Sequence, residues 1–309
     1  MRTNPVKVMW TREDDVHNGR FRPLSAHYLR AGFDATGKLV AWQHRLAGDR
    51  VTPFFDPVRY QSGGRRDGIL MNGADLPGYD VPHQLVEQLY QDTGVRTAPL
   101  RAIGFTANKF ATETFIDEIA VKRGIDPVAF RLDLLKNTPR ARKVVETVAR
   151  MADWGKKREG RGLGFAFIDY SDSLVGGIAE ISVDRPSGAI KVHQFWCAID
   201  CGTPVHPDNI RAQTESSIVY GLGMTLTERI SVKDGAVEQS NFYDYLVPRM
   251  NDIPEIHIEI VATDNHPTGV GQMATPLVSP AVSSAFAQLT GVRLRQSPMT
   301  AERVKAALA

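Results

Sequence analysis

The spacing of apolar positions along the chain changes several times. Over about the first hundred residues apolar side chains fall in short blocks bounded by turn residues: Val6 to Trp10, Ala26 to Phe33 and Leu39 to Leu46, the last two joined by Asp34-Ala35-Thr36-Gly37. That pattern predicts strands. Residues 47–80 are rich in Gly, Pro and Asp and predict a long irregular stretch, either site-lining or surface. The period then becomes helical. Phe110, Ala111, Phe115, Ile116, Ile119 and Ala120 predict a helix capped by Thr106 and ended by Gly124, and Asp126-Pro127 and Thr138-Pro139 open two more, to about Lys136 and Trp154, each by an N-cap residue followed by a first-turn proline. The charged, glycine-rich segment 155–162 marks the expected boundary between a first unit, 1–155, and a second, 163–309.

Beyond that boundary the blocks Leu163 to Ile168, Val175 to Val183 and Ile190 to Ile199 read as strands, the last two joined by Arg185-Pro186-Ser187-Gly188. A helix from about Asp208 to Leu226 follows, then a hairpin at Asp234-Gly235. Ile256, Ile258 and Ile260 alternate with His257 and Glu259 as a half-buried strand, and Ser279-Pro280 opens a helix that closes near Gly291. Sheets and helices come in blocks, which makes the fold class α+β, mixed sheets with segregated helices.

Composition narrows the function. The 309 residues carry 37 Lys+Arg against 35 Asp+Glu, a net charge of +2, so no polyanion such as nucleic acid is expected as partner. No apolar run approaches a membrane span, and the first residues lack the apolar core of a secretion signal. Only Cys197 and Cys201 are present, too few for an iron–sulfur cluster and read as buried structural thiols rather than a redox pair. The eight histidines show no metal-ligand spacing, so no protein-ligated metal is expected. Two turns remain as candidate chemistry. Gly269-Val270-Gly271-Gln272-Met273-Ala274-Thr275-Pro276 offers backbone amides ahead of a helix, and Asp200-Cys201-Gly202 leads into a helix bearing Gln213 and Glu215. Glycine turns of this kind let backbone donors approach an anionic or oxo group.

These stretches, with Val8-Met9-Trp10-Thr11-Arg12-Glu13-Asp14-Asp15, Leu100-Arg101-Ala102-Ile103-Gly104-Phe105, Glu113-Thr114-Phe115-Ile116-Asp117-Glu118, Arg211-Ala212-Gln213-Thr214-Glu215 and Gln239-Ser240-Asn241-Phe242-Tyr243-Asp244-Tyr245, resemble in order and spacing the molybdopterin-binding large subunit of the xanthine dehydrogenase and aldehyde oxidase family. The nearest branch is the isoquinoline 1-oxidoreductase beta subunit. The resemblance implies a molybdenum cofactor, in its cytosine dinucleotide form, whose metal is ligated by the cofactor itself. It also implies hydroxylation of an aldehyde or aromatic N-heterocycle, a small-molecule substrate, with water as oxygen source. Electrons would leave through [2Fe-2S] clusters on an iron–sulfur small subunit.

Residue by residue, the resemblance places Gln213, Gly269, Val270 and Gly271 at the pterin, and Arg101, Gly104 and Phe105 near the metal. Gln272 falls at the position of the catalytic base. There the family has glutamate. A carboxamide cannot accept the proton a carboxylate would, and losing a general base slows a reaction about 10²- to 10⁴-fold. Either another group such as Glu215, Asp264 or His266 accepts the proton, the substrate is easier, or turnover is slow or absent. The family's large subunits are also more than twice this length, so the chain resembles their C-terminal portion, with a companion polypeptide expected to supply the N-terminal half and exposed apolar surface where it docks. A second expectation is a non-catalytic cofactor-binding or assembly module.

Overall fold

The computed structural model describes residues 4–309. Its first element is not a strand at Val6 to Trp10. Those residues have no regular structure and are strongly exposed, Val6 at 84% and Trp10 at 58%, because no strand among the described residues pairs with them. Thr11 instead caps helix α1 (Arg12–Asn18) in a reciprocal box with Asp14, a Thr-x-x-acid signal the apolar pattern does not display.

Strands β1 (Ser25–Phe33) and β2 (Leu39–Gly48) pair antiparallel about the Asp34 turn. The predicted irregular stretch is a crossover carrying three short helices, α2 (Thr52–Phe55), α3 (Pro57–Ser62) and α4 (Gly68–Met71), into β3 (His83–Tyr90), which lies parallel to β2. Within this sheet, His44 Nδ1 lies 2.9 Å from the Ala74 carbonyl. The carbonyl can only accept, so the bare Nε2 of His44 accepts from His27 Nδ1 at 2.9 Å, and His27 Nε2 accepts from Ser25 Oγ at 2.9 Å. Both rings are neutral. Burial, aided by the neighbouring ring, pushes the His27 pKa down to about 3, and burial lowers that of His44. The unfolded chain protonates these rings near the ordinary value of about 6.5, so their stabilisation is complete above that pH and is withdrawn as pH falls toward the folded value. Melting curves should show Tm falling between neutral pH and about pH 4, with a shallower fall in His27→Gln.

Three helices follow: α5 (Phe105–Lys122), α6 (Pro127–Leu134) and α7 (Pro139–Met151). Gly104, not Thr106, is the N-cap of α5; the Thr106 hydroxyl instead accepts from Arg22 Nη1 at 3.3 Å. The carboxylates of the 113–118 motif each find an arginine. Arg131 Nε donates to Glu113 at 2.9 Å with both side chains fully buried, while Asp117 meets Arg293 and Glu118 meets Arg295, both at 2.8 Å. Tyr79 Oη and the Phe167 amide also donate to Glu113, at 2.8 and 3.0 Å. The motif is thus a structural clamp between α5, α6, β4 (Gly162–Tyr170) and the C-terminal segment. Arg131→Met would strand a buried carboxylate and cost about 3–5 kcal/mol, measurable as a lower urea midpoint with unchanged slope.

The second sheet runs β4, β5 (Ser173–Asp184), β6 (Ala189–Asp200) and β9 (Glu255–Ile260), antiparallel except for the parallel β6/β9 pair. Helix α8 (Pro207–Leu226) and a small hairpin, β7 (Val232–Lys233) with β8 (Ala236–Val237), lie in that crossover. Helix α9 (Val278–Thr290) covers one face and α7 the other, which is why β4 and β5 read as near-continuous apolar runs. A Cβ on Gly164 would sit 2.0 Å from the Ala281 carbonyl oxygen, so glycine is what allows α9 to lie on β4. Helix α10 (Ala301–Leu308) ends the chain's described structure. Because α7 packs on β5 and β6, and α5 on α9, residues on both sides of the 155–162 segment share one core.

Candidate functional site

Helix α8, the Leu100–Gly104 turn, the 269–276 turn and the end of β4 meet at one place. Arg101 is the junction. Its Nε donates to the Gly271 carbonyl at 2.9 Å, Nη1 to Ser216 Oγ at 2.8 Å, and Nη2 to both Gln213 O and Oε1 at 3.2 Å. One guanidinium thereby ties together segments more than a hundred residues apart. Since arginine only donates, Oε1 is the end of the Gln213 amide turned toward it, which leaves the Gln213 Nε2 donors facing away into the open surface.

The turn that carries Arg101 is strained. Ala102 and Ile103 take φ of +68° and +40°, a conformation side-chain-bearing residues hold only when surroundings impose it. Arg22 imposes it from below, donating to the Arg101 carbonyl at 2.8 Å and the Ile103 carbonyl at 3.1 Å. Burial lowers the pKa of Arg22, opposed by Tyr220, Glu228 and Tyr245 facing it. Tyr245 donates to Glu228 at 2.8 Å, so the 239–245 motif supports the turn from a distance. The same motif meets α1 through Asn241 and Glu13. At Gly104 a Cβ would lie 2.5 Å from the Ile69 carbonyl oxygen, so no larger residue fits there.

Gln272 closes the arrangement. Its Oε1 accepts from the Ala102 amide at 2.8 Å and its Nε2 donates to Tyr170 Oη at 2.7 Å. Tyr170 stacks on Phe105 with centroids 3.6 Å apart and planes 11° from parallel. Among the described residues, none of Glu215, Asp264 and His266 hydrogen-bonds to Gln272, and no intrachain acceptor takes the amide hydrogens of Gly269 through Ala274. Gly269, Gly271 and Gln213 are exposed. A Cβ on Gly271 would meet nothing nearer than Gln213 Oε1, at 3.9 Å, so the two turns flank open space. Exposed glycine amides and a carboxamide with free donors form a donor surface, chemically suited to the oxygens and ring nitrogens of a pterin.

The eight residues that the resemblance assigns to the pterin, the metal end and the base position thus lie in one region, around Arg101 and Gln272. Arg22, Tyr170 and Ser216 were missed, being single polar residues outside the motifs that stood out. Cys197 and Cys201 are free thiols, and burial raises the pKa of both. One of the two thiols lies beside the site, the Cys201 carbonyl accepting from the Thr268 amide at 2.8 Å just ahead of the 269–276 turn. A cleft of about 590 Å³ lined by His17, Arg96 and Val237 lies near the β7/β8 hairpin. Among the described residues no cluster of His, Cys, Asp or Glu is placed to hold a metal ion, and no helix is long and apolar enough to cross a membrane.

Residues 2–135 and 138–254 each match a molybdopterin cofactor-binding domain. The chain is 36% identical over 300 residues to the beta subunit of isoquinoline 1-oxidoreductase from Brevundimonas diminuta, a match covering 95% of this chain and 38% of that one. It is 31% identical over 336 residues to a nicotinate dehydrogenase subunit of Pseudomonas putida, covering 98% and 27%. The chain therefore spans well under half the length of these relatives. Quinoline 2-oxidoreductase from Pseudomonas putida 86 shares the fold, with a TM-score of 0.83 at 15% identity over 97% of this chain and 64% of that one. The chain belongs to the molybdopterin-binding, large-subunit family of the molybdenum hydroxylases.

Proposed function

We propose that the chain forms part of the molybdopterin site of a hydroxylase that oxidises an aromatic N-heterocycle or an aldehyde, water supplying the oxygen. The observation that carries this reading is Arg101 bound at once to Gly271 and Gln213, which makes one donor surface of two separated turns. Gln213 Nε2 and the amides of Gly269, Val270 and Gly271 would hold the cofactor, in its cytosine dinucleotide form, while the Arg101 to Phe105 turn lies at its metal end. When bound, the cofactor supplies two-electron oxidation. The chain's own residues orient the substrate, and Gln272 holds the turn against Tyr170.

The matched relatives are more than twice this length, so the rest of the cradle would come from further protein, and electrons would pass to [2Fe-2S] clusters on an iron–sulfur partner. The relatives support a multi-subunit arrangement by their names, each a subunit. Exposed Val6, Val8, Met9 and Trp10 offer an apolar docking surface for that protein. A second reading, a cofactor-binding or assembly module without turnover, is favoured by the carboxamide of Gln272. Purification of the full chain with its co-expressed neighbours, followed by metal and pterin analysis, tests both: molybdenum and pterin are expected in the complex, and their absence from every complex overturns both readings.

A further inference from the structure

The direction of the hydrogen bond between Gln272 and Tyr170 is fixed by chemistry. The Ala102 amide can only donate, so Gln272 must present Oε1 to it, at 2.8 Å, and the other end of the carboxamide, Nε2, must face Tyr170, to which it donates at 2.7 Å. The phenol oxygen therefore receives a hydrogen bond and keeps its own proton to give. Among the described residues that proton has no acceptor. The ring cannot swing away to find one, because Tyr170 is 4% exposed and stacked on Phe105. Burial pushes the Tyr170 pKa up to about 12, so the group is a donor throughout the working pH range. A buried hydroxyl proton without an acceptor is unfavourable, and the segment holding Gln272 also carries the exposed Gly271 beside Gln213.

We propose that Tyr170 determines substrate specificity: its Oη donates to an acceptor atom of the substrate, a ring nitrogen or carbonyl oxygen, and so favours heteroaromatic and carbonyl compounds over hydrocarbons of the same shape. The proposal rests on the reading of this region as the substrate end of a molybdopterin site. Gln272 is its positioning residue. A carboxylate there would accept from Ala102 and Tyr170 together and draw the phenol proton to itself, whereas the carboxamide leaves that proton for a ligand.

Isoquinoline and naphthalene have the same outline and differ in one ring nitrogen, which makes them the probes. Their binding to the purified full chain, in complex with whatever co-purifies, is measured by saturation-transfer NMR at mildly alkaline pH, where the nitrogen is unprotonated. The unaltered protein is expected to bind isoquinoline about three- to tenfold more tightly, the weight of one neutral hydrogen bond. Tyr170→Phe and Gln272→Glu should each bring the ratio of isoquinoline to naphthalene affinity down to about one. A preference that survives in either variant, an unaltered protein that shows none, or equal weakening of both probes overturns the proposal. Molybdenum and pterin content of the same samples reports separately on the cofactor: a preference that collapses as expected supports the role of Tyr170 at any metal content, whereas absence of molybdenum and pterin from every complex overturns the cofactor reading alone.

Discussion

Gln272→Glu is expected to raise turnover of an aromatic N-heterocycle or aldehyde by about 10²- to 10⁴-fold, the usual worth of a general base. The geometry makes the exchange nearly isosteric. Glutamate at this position keeps an oxygen for the Ala102 amide and offers its second oxygen to Tyr170 Oη, which turns from acceptor to donor. Two donors on one carboxylate favour its ionised form, so it is available as a base at neutral pH. The same change withdraws the Tyr170 proton from the ligand, so the rise in kcat should come with about a three- to tenfold rise in KM for substrates bearing an acceptor. Steady-state kinetics on the metal-loaded complex separates the two parameters. A kcat that stays flat or falls would mean that the proton leaves by another route, and that the carboxamide is not what limits the reaction.

Most of the fold's elements were legible because apolar period encodes them. The blocks at Leu163, Val175 and Ile190 became β4, β5 and β6, and the Asp-Pro and Thr-Pro steps opened α6 and α7 where expected. The failures have physical causes. Val6 to Trp10 has the composition of a strand, but a strand needs a partner edge and none is present among the described residues. The strand β3 was hidden because its partner β2 lies across a crossover of three short helices, and a parallel pairing leaves no hairpin signal between its strands. The site was legible as motifs and not as geometry. Glycine turns and Gln213 stood out, yet what joins them is a single arginine whose reach of five donors is invisible in spacing. The Glu113 to Glu118 stretch shows the converse: it carries the family resemblance without a part in the site, its three carboxylates serving ion pairs that hold helices together.

Arg101 is the residue whose loss should most affect cofactor retention. Its planar fork reaches the Gly271 carbonyl, Ser216 and both oxygens of Gln213 at once, and a lysine ammonium at the end of a flexible stem cannot span that set. Removing the guanidinium frees the 269–276 turn from α8 and lets the Gln213 carboxamide rotate, so the donors no longer converge. Hydrogen bonds from a charged donor are worth about 1.5–3 kcal/mol each, and loss of even one such term of preorganisation corresponds to about 10- to 100-fold in affinity. Arg101→Met is therefore expected to lower molybdenum and pterin content of the purified complex at least about tenfold, and Arg101→Lys to restore little of it. The fold should persist in both, because Arg22 still grips the Arg101 and Ile103 carbonyls through the main chain and Gln272 still reaches the Ala102 amide. Circular dichroism and urea midpoints near those of the unaltered chain, beside the lost metal, would place the effect at the donor surface. Retention of full molybdenum by Arg101→Met would show instead that the cofactor is held entirely by protein outside this chain, and that the convergence of Gln213 with Gly271 is packing alone.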